Sequence, residues 1–225
     1  MQVQGTLQLP GDKSISHRAI MLSAIADGVS FVRNLNDGAD LQSTISILRD
    51  CGALIEQNED EIIINGKELY SPSKELDCGN SGTTTRLIAG LLSSQKLSFT
   101  LIGDESLSKR PMNRIITPLT AMGCKISSNN GLLPLSIDAS DGISAIDFDM
   151  KVASAQVKSS ILFSALGGNN VSIVNETILT RNHSEIMLKN MGASIEREGG
   201  KIIVHPLKSK FCLLYTSDAA DDPTC

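Results

Sequence analysis

Three stretches of the chain repeat one pattern of apolar and polar positions: ILRDCGALIEQNEDEIIING, PLTAMGCKISSNNGLLPLSI and MLKNMGASIEREGGKIIVH. Each closes a helix-periodic segment on a glycine and then alternates apolar with polar residues. These glycines, Gly52, Gly123 and Gly192, are 71 and 69 residues apart and suit the left-handed position that ends a helix. A polar turn at 58–60, 129–131 and 198–200 and a second alternating run predict a hairpin after each helix. Upstream, SISHRAIMLSAIADGVSFVRNL, SGTTTRLIAGLLSSQKLSFTLIG and SAQVKSSILFSALGGNNVSIVNE each predict a helix, a polar turn and a β-rich strand. The predicted unit is therefore helix, strand, helix and hairpin, about 70 residues long and present three times. A small sheet cannot bury its own helices, so the expected fold is α+β, with the helices packed together inside and three small sheets outside.

The first helical segment carries a second pattern. Ile15, Ala19, Leu22 and Ala26 fall on one face at i, i+4, i+7 and i+11, while Ser14 and Arg18 share another. A hydroxyl and a guanidinium beside unpaired helix N–H groups, with Lys13 just outside, form a candidate anion seat. The bland alternative is a Ser14 N-cap and a solvated Arg18. The repeat favours the seat, because Ser81 with Arg86 and Ser154 with Lys158 stand at equivalent positions, and three helix N-termini could then converge on one end. Lys158 is the member of this set most easily read as solvated.

Composition narrows the function classes. With 225 residues, 41% of them hydrophobic, the chain can bury a core, and no apolar run approaches the roughly 18 residues of a membrane span. The first residues lack a basic region followed by an apolar one, so a cytoplasmic protein is expected. A net charge of −5, two Tyr and no Trp argue against a nucleic-acid partner. Cys51, Cys78, Cys124, Cys212 and Cys225 are dispersed without CxxC spacing, which predicts reduced thiols, no metal and no cofactor. After Lys210 the chain reads FCLLYTSDAADDPTC, and CLLYTSDAADD resembles a translated adapter from sequencing-library preparation. Residues 212–225 are therefore expected to be a non-native tail, with the natural protein continuing differently.

Four polar stretches lie at the predicted helix starts or in the loops before them: GDKSISHR, DCGNSGTTTR, ESLSKRPMNR and SAQVKS. Gly79 and Gly82 flank Asn80 and Ser81, which allows backbone to approach a ligand closely. Arg110 precedes Pro111, a residue suited to opening a helix. These are phosphate- and carboxylate-binding parts, without a Walker, Rossmann or His/Cys metal pattern.

In order, LPGDKSISHR, GNSGTTTRL, KRPMNR, SAQVKS and TRNHSE resemble the signatures of the EPSP synthase (3-phosphoshikimate 1-carboxyvinyltransferase) family over residues 1–211. The resemblance implies one domain of a two-domain inverse α/β barrel-like fold built of βαβαββ units. Residues 1–12 would be a strand and hinge belonging partly to the other domain, and 13–211 the substrate-binding domain. The implied reaction transfers the enolpyruvyl group of phosphoenolpyruvate to the 5-hydroxyl of shikimate 3-phosphate, on the way to chorismate and aromatic amino acids, and releases phosphate. Lys13 would lie between both substrates as the catalytic candidate. Ser14, Arg18, Ser154, Ala155, Gln156 and Thr180 would bind shikimate 3-phosphate. Gly82 and Arg110, with Gln156, would bind phosphoenolpyruvate, in the pocket for which the herbicide glyphosate competes. Asn80, Arg86 and His183 are further candidates. The family's carboxylates come from the other domain, so this chain alone is expected to be inactive, and the full-length protein to be a monomer. Two rival readings remain. A UDP-N-acetylglucosamine enolpyruvyl transferase would want Lys-Asn where Lys13-Ser14 stands and a reactive loop cysteine, and a non-catalytic domain would bind anions without turnover.

Overall fold

Asp12 opens the first helix, α1 (Lys13–Ile25), by accepting the Ile15 N–H on its carboxylate at 2.8 Å. Ser81 and Ser154 do the same for α3 (Gly82–Ser94) and α6 (Ala155–Ala165), accepting from Thr84 N and Val157 N. Ser14 is thus a residue of the first helical turn and not the cap of α1. The computed structural model describes residues 11–59, 61–208 and the backbone of 215–216.

Each helix leads into one repeat. The first continues through β1 (Gly28–Arg33), α2 (Ala39–Asp50) and the hairpin β2 (Leu54–Gln57) and β3 (Glu61–Gly66). In the second, β4 (Leu76–Asp77) precedes α3, and β5 (Ser98–Ile102), a short α4 (Glu105–Ser108), α5 (Asn113–Ala121), β6 (Lys125–Asn129) and β7 (Leu132–Asp138) follow. The third runs β8 (Asp147–Met150), α6, β9 (Ser172–Glu176), α7 (His183–Asn190), β10 (Ile195–Glu198) and β11 (Lys201–Val204). Gly52, Gly123 and Gly192 follow α2, α5 and α7 with φ of 97°, 100° and 89°, the helix-ending role expected of them.

Two sheets share the order β4-β5-β7-β6 and β8-β9-β11-β10, with the leading strand parallel and the other pairs antiparallel. The first-repeat sheet has the same form, β12-β1-β3-β2, but its parallel strand is β12 (Tyr215–Thr216), paired with Phe31 and Val32 of β1. β12 lies within the segment expected to be non-native. The rest of that segment and residues 1–10 of the expected interdomain strand lie outside the described residues.

The helices fill the interior and the sheets surround them, with inward residues such as Ile62 and Ile64, Leu133 and Leu135, and Ile202 and Val204 facing the helices. α1 departs from the one-faced expectation, because every residue from Ile15 to Ile25 is buried, including Ser16, His17, Arg18 and Ser23. A helix surrounded by neighbours has no solvent face, and small serines suit it because their hydroxyls can bond back along the helix. Ser16, Ser93 and Ser159 do so, to the carbonyls of Asp12, Ala89 and Ala155. α3 and α6 form the closest helix pair: a Cβ on Gly90 would stand 2.1 Å from the Ser160 carbonyl oxygen. Cys51, Cys78 and Cys124 are buried free thiols. Among the described residues no helix is long and apolar enough to cross a membrane.

Candidate active site at the helix N-termini

The first turns of α1, α2, α3, α6 and α7 meet at one end of the helical core, joined by side chains from different repeats. Lys13 at the start of α1 pairs with Asp40 in the first turn of α2. Burial raises the Asp40 carboxyl, but the Lys13 ammonium more than offsets this and holds it below the usual carboxylate range. Thr84 of α3 donates to the Asp40 carbonyl at 3.2 Å and bonds Thr44 of α2 at 2.8 Å. Gln156 of α6 donates to Thr83 Oγ1 at 2.8 Å and accepts from Arg86 Nη1 at 2.7 Å, tying α6 to α3.

Arg18 is 4% exposed and is held by three groups: the Ser14 carbonyl at 2.8 Å and, at 2.7 Å each, the hydroxyls of Ser159 on α6 and Ser184 on α7. Burial and the nearby Arg181 charge lower it to about 10, so it stays a cation at neutral pH. Arg181 also reaches toward Ser14 Oγ, at 3.5 Å. Arg86 is likewise lowered, by burial first and then by the charges of Arg114 and Arg110. Arg110 donates to Asn80 Oδ1 and to the Asn80 carbonyl, and the Asn80 amide donates to Asp104 at 2.6 Å. Gly82 is the first residue of α3, and a Cβ there would stand 2.8 Å from Arg86 Nη1 and 3.7 Å from Arg110 Nη1. The missing side chain is therefore the opening between two guanidiniums.

The residues anticipated from sequence do not all stand in one state. Lys13, Ser14 and Arg18 lie together, as do Asn80, Gly82, Arg86, Arg110 and Gln156, while Ser154 and Ala155 form the cap and first residue of α6. His183 begins α7, one residue from Ser184, which holds Arg18. Thr180 is bonded to Glu176. Lys158 is neither solvated nor turned toward the helix N-termini: its side chain has no exposed surface and pairs with Glu176 and Glu185, because its position on α6 points into the interior between α6, β9 and α7. Sequence reasoning missed Asp40, Arg114, Ser159 and Ser184. Arg181 was passed over too; it and Ser184 sit inside the quoted TRNHSE, Arg114 inside KRPMNR and Ser159 inside SAQVKS, and only Asp40 lies outside every quoted motif.

His17 lies beneath this surface with no exposed area, its Nδ1 2.8 Å from Thr44 Oγ1. Burial, and then the Lys13 charge, lower it to about 4. Its contribution to stability is constant well above pH 6.5, where the imidazole is neutral in both the folded and the unfolded chain. Below that the unfolded chain takes up the proton first, so stability falls by about 3 kcal/mol as pH drops to 4. Urea unfolding of the unaltered chain and of His17→Gln between pH 7 and 4 is expected to show this extra acid loss in the former alone; parallel curves would refute it.

Comparison with known proteins places the chain as a whole. A family model described as EPSP synthase (3-phosphoshikimate 1-carboxyvinyltransferase) matches residues 1–216. The chain belongs to the EPSP synthase family. It is similar to the 3-phosphoshikimate 1-carboxyvinyltransferase of Ruthia magnifica subsp. Calyptogena magnifica, 47% identical over 203 residues, covering 89% of this chain and 47% of that protein. The Oenococcus oeni protein of the same name is 45% identical over 208 residues, covering 91% and 48%. Among solved structures, EPSP synthase from Acinetobacter baumannii superposes with a TM-score of 0.88 at 41% identity, covering 93% of this chain and 48% of that one. The chain spans about half the length of these EPSP synthases. The three-repeat fold is one domain of the EPSP synthase architecture, as the sequence led us to expect.

Proposed function

We propose that this chain is the substrate-binding half of an enzyme that transfers the enolpyruvyl group of phosphoenolpyruvate to the 5-hydroxyl of shikimate 3-phosphate. The observation that carries the proposal is the meeting of helix N-termini from all three repeats with Lys13, Arg18, Arg86, Arg110 and Arg181 at one end of the core. Two multiply anionic substrates repel each other, and fixed cations and helix N–H groups offset that repulsion without reorganising during the reaction. In this reading Arg18, Ser14, Ser154, Ala155, Gln156 and Thr180 hold shikimate 3-phosphate. Arg110 and the backbone at Gly82 hold phosphoenolpyruvate, and Lys13 stands between the two. The methylene carbon is protonated to a methyl group, the hydroxyl adds with loss of its proton to give a tetrahedral intermediate, and elimination of phosphate together with a proton from that methyl group restores the double bond. The acid and base for these proton movements belong to the other half of the protein.

The rival transferase that works through a reactive cysteine is disfavoured, since Cys124 is buried and its thiol is pushed above the usual range by that burial. Calorimetry of the 225-residue chain is expected to show shikimate 3-phosphate binding without phosphate release when phosphoenolpyruvate is added. Arg18→Lys keeps the charge but cannot span Ser14, Ser159 and Ser184, and it should weaken binding about tenfold or more, roughly 1.4 kcal/mol. Equal affinity of the two chains would remove Arg18 from the site. The protein completed with its natural second half separates an enzyme from a non-catalytic anion-binding domain by whether it turns over.

A further inference from the structure

Behind the loop that carries Thr180, four charged side chains from four elements close a cluster. Lys158 Nζ on α6 is 2.7 Å from Glu185 Oε1 on α7 and 3.2 Å from Glu176 Oε2 at the end of β9. Arg197 on β10 completes it, with Nη1 2.8 Å from Glu185 Oε1 and Nη2 2.9 Å from Glu176 Oε2. Two cations and two carboxylates cancel. The other oxygen of Glu176, Oε1, accepts both donors of Thr180, the N–H at 3.2 Å and the hydroxyl. One buried carboxylate therefore faces cations on one side and the loop at 177–182 on the other.

We propose that Glu176 is a positioning residue for the shikimate 3-phosphate wall: neutralised from behind by Lys158 and Arg197, it fixes Thr180 and the loop at 177–182 without itself touching the ligand. The proposal rests on the functional reading above and adds the group that sets the loop. Little else is available for that task, since Ile178 and Leu179 are 66% and 65% exposed and bring few buried apolar contacts to the loop. Hydrogen bonds to a carboxylate are the stronger kind and directional, so they can hold a short loop where packing does not. The cations matter because a carboxylate can stay buried there only when it is paired, so their role is to stabilise the cluster. Their neighbours extend the effect: Ser159 follows Lys158 and Ser184 precedes Glu185, and both serines grip Arg18.

The test compares Glu176→Gln and Glu176→Asp with Arg197→Leu in the 225-residue chain. Arg197 binds the same carboxylates but not Thr180. Three quantities are read: urea stability, shikimate 3-phosphate affinity by calorimetry, and the Thr180 amide proton shift by NMR. Glu176→Gln is expected to weaken binding about tenfold and move the Thr180 amide upfield, whereas Arg197→Leu loses stability but keeps affinity within about threefold. Glu176→Asp keeps the charge, so it provides a folded variant if the glutamine chain does not fold; it should shift the amide and weaken binding together. Losses of affinity that track stability equally in the Glu176 and Arg197 variants, or a shifted amide with unchanged affinity, would overturn the proposal. If the unaltered chain binds no shikimate 3-phosphate, the functional reading fails, while the response of the Thr180 amide to Glu176→Gln still decides whether this carboxylate holds the loop.

Discussion

Lys158→Met is expected to lower the unfolding free energy by about 3–5 kcal/mol, because it leaves Glu176 and Glu185 buried with Arg197 as their shared cation. The methionine fills much of the same volume, so the loss measures uncompensated charge and not a cavity. Converting Glu185 to Gln in the same chain removes one of the stranded charges and should recover part of the stability. Urea unfolding of the single and double variants checks both statements. A single-variant loss below about 1 kcal/mol would mean that the cluster opens to water when the ammonium is removed.

Gly90→Ala is expected to destabilise the chain by about 3 kcal/mol although alanine is the better helix former by roughly 1 kcal/mol. The added Cβ would stand 2.1 Å from the Ser160 carbonyl oxygen and 2.8 Å from its carbonyl carbon and Cα, all backbone atoms that no side-chain rotation can clear. α3 and α6 must part, and with them the bonds of Gln156 to Thr83 and Arg86. Thermal melting of this variant reads the sign directly: a rise in Tm would mean that propensity outweighs the close approach and that the two helices separate at little cost.

These two residues also mark where the sequence was silent. Nothing local distinguishes Gly90, in the middle of LIAGLLSS, from a weak helix residue, and nothing distinguishes Lys158 from a solvated base one turn into a helix. The glycines at 52, 123 and 192 were legible because ending a helix is a local matter: each needs a positive φ that only a residue without Cβ adopts freely. Ser81 and Ser154 were legible as helix starts for the same reason, since a cap bonds an amide three residues on. At the first helix the cap is Asp12, while Ser14 is drawn into the helix, its carbonyl accepting from Arg18.

By itself the sequence determined the threefold repeat, the succession of helix, strand, helix and hairpin in each unit, though not the leading strands β4 and β8 or the short α4, and the polar motifs at helix starts that carry the family resemblance. All of these depend on φ preferences, caps and side-chain periodicity that act within a few residues. Only the tertiary structure decided the partners of the charges. Asp40 meets Lys13 across 27 residues, and Ser159 and Ser184 meet Arg18 across 141 and 166. It also decided that α1 is buried on every side, because a helix loses its polar face only when helices from the other two repeats cover it. Burial and charge pairing are properties of surfaces brought together by the whole fold, and three similar units can be packed so that equivalent bases end in different surroundings: Arg18 and Arg86 at the helix N-termini, Lys158 in the interior.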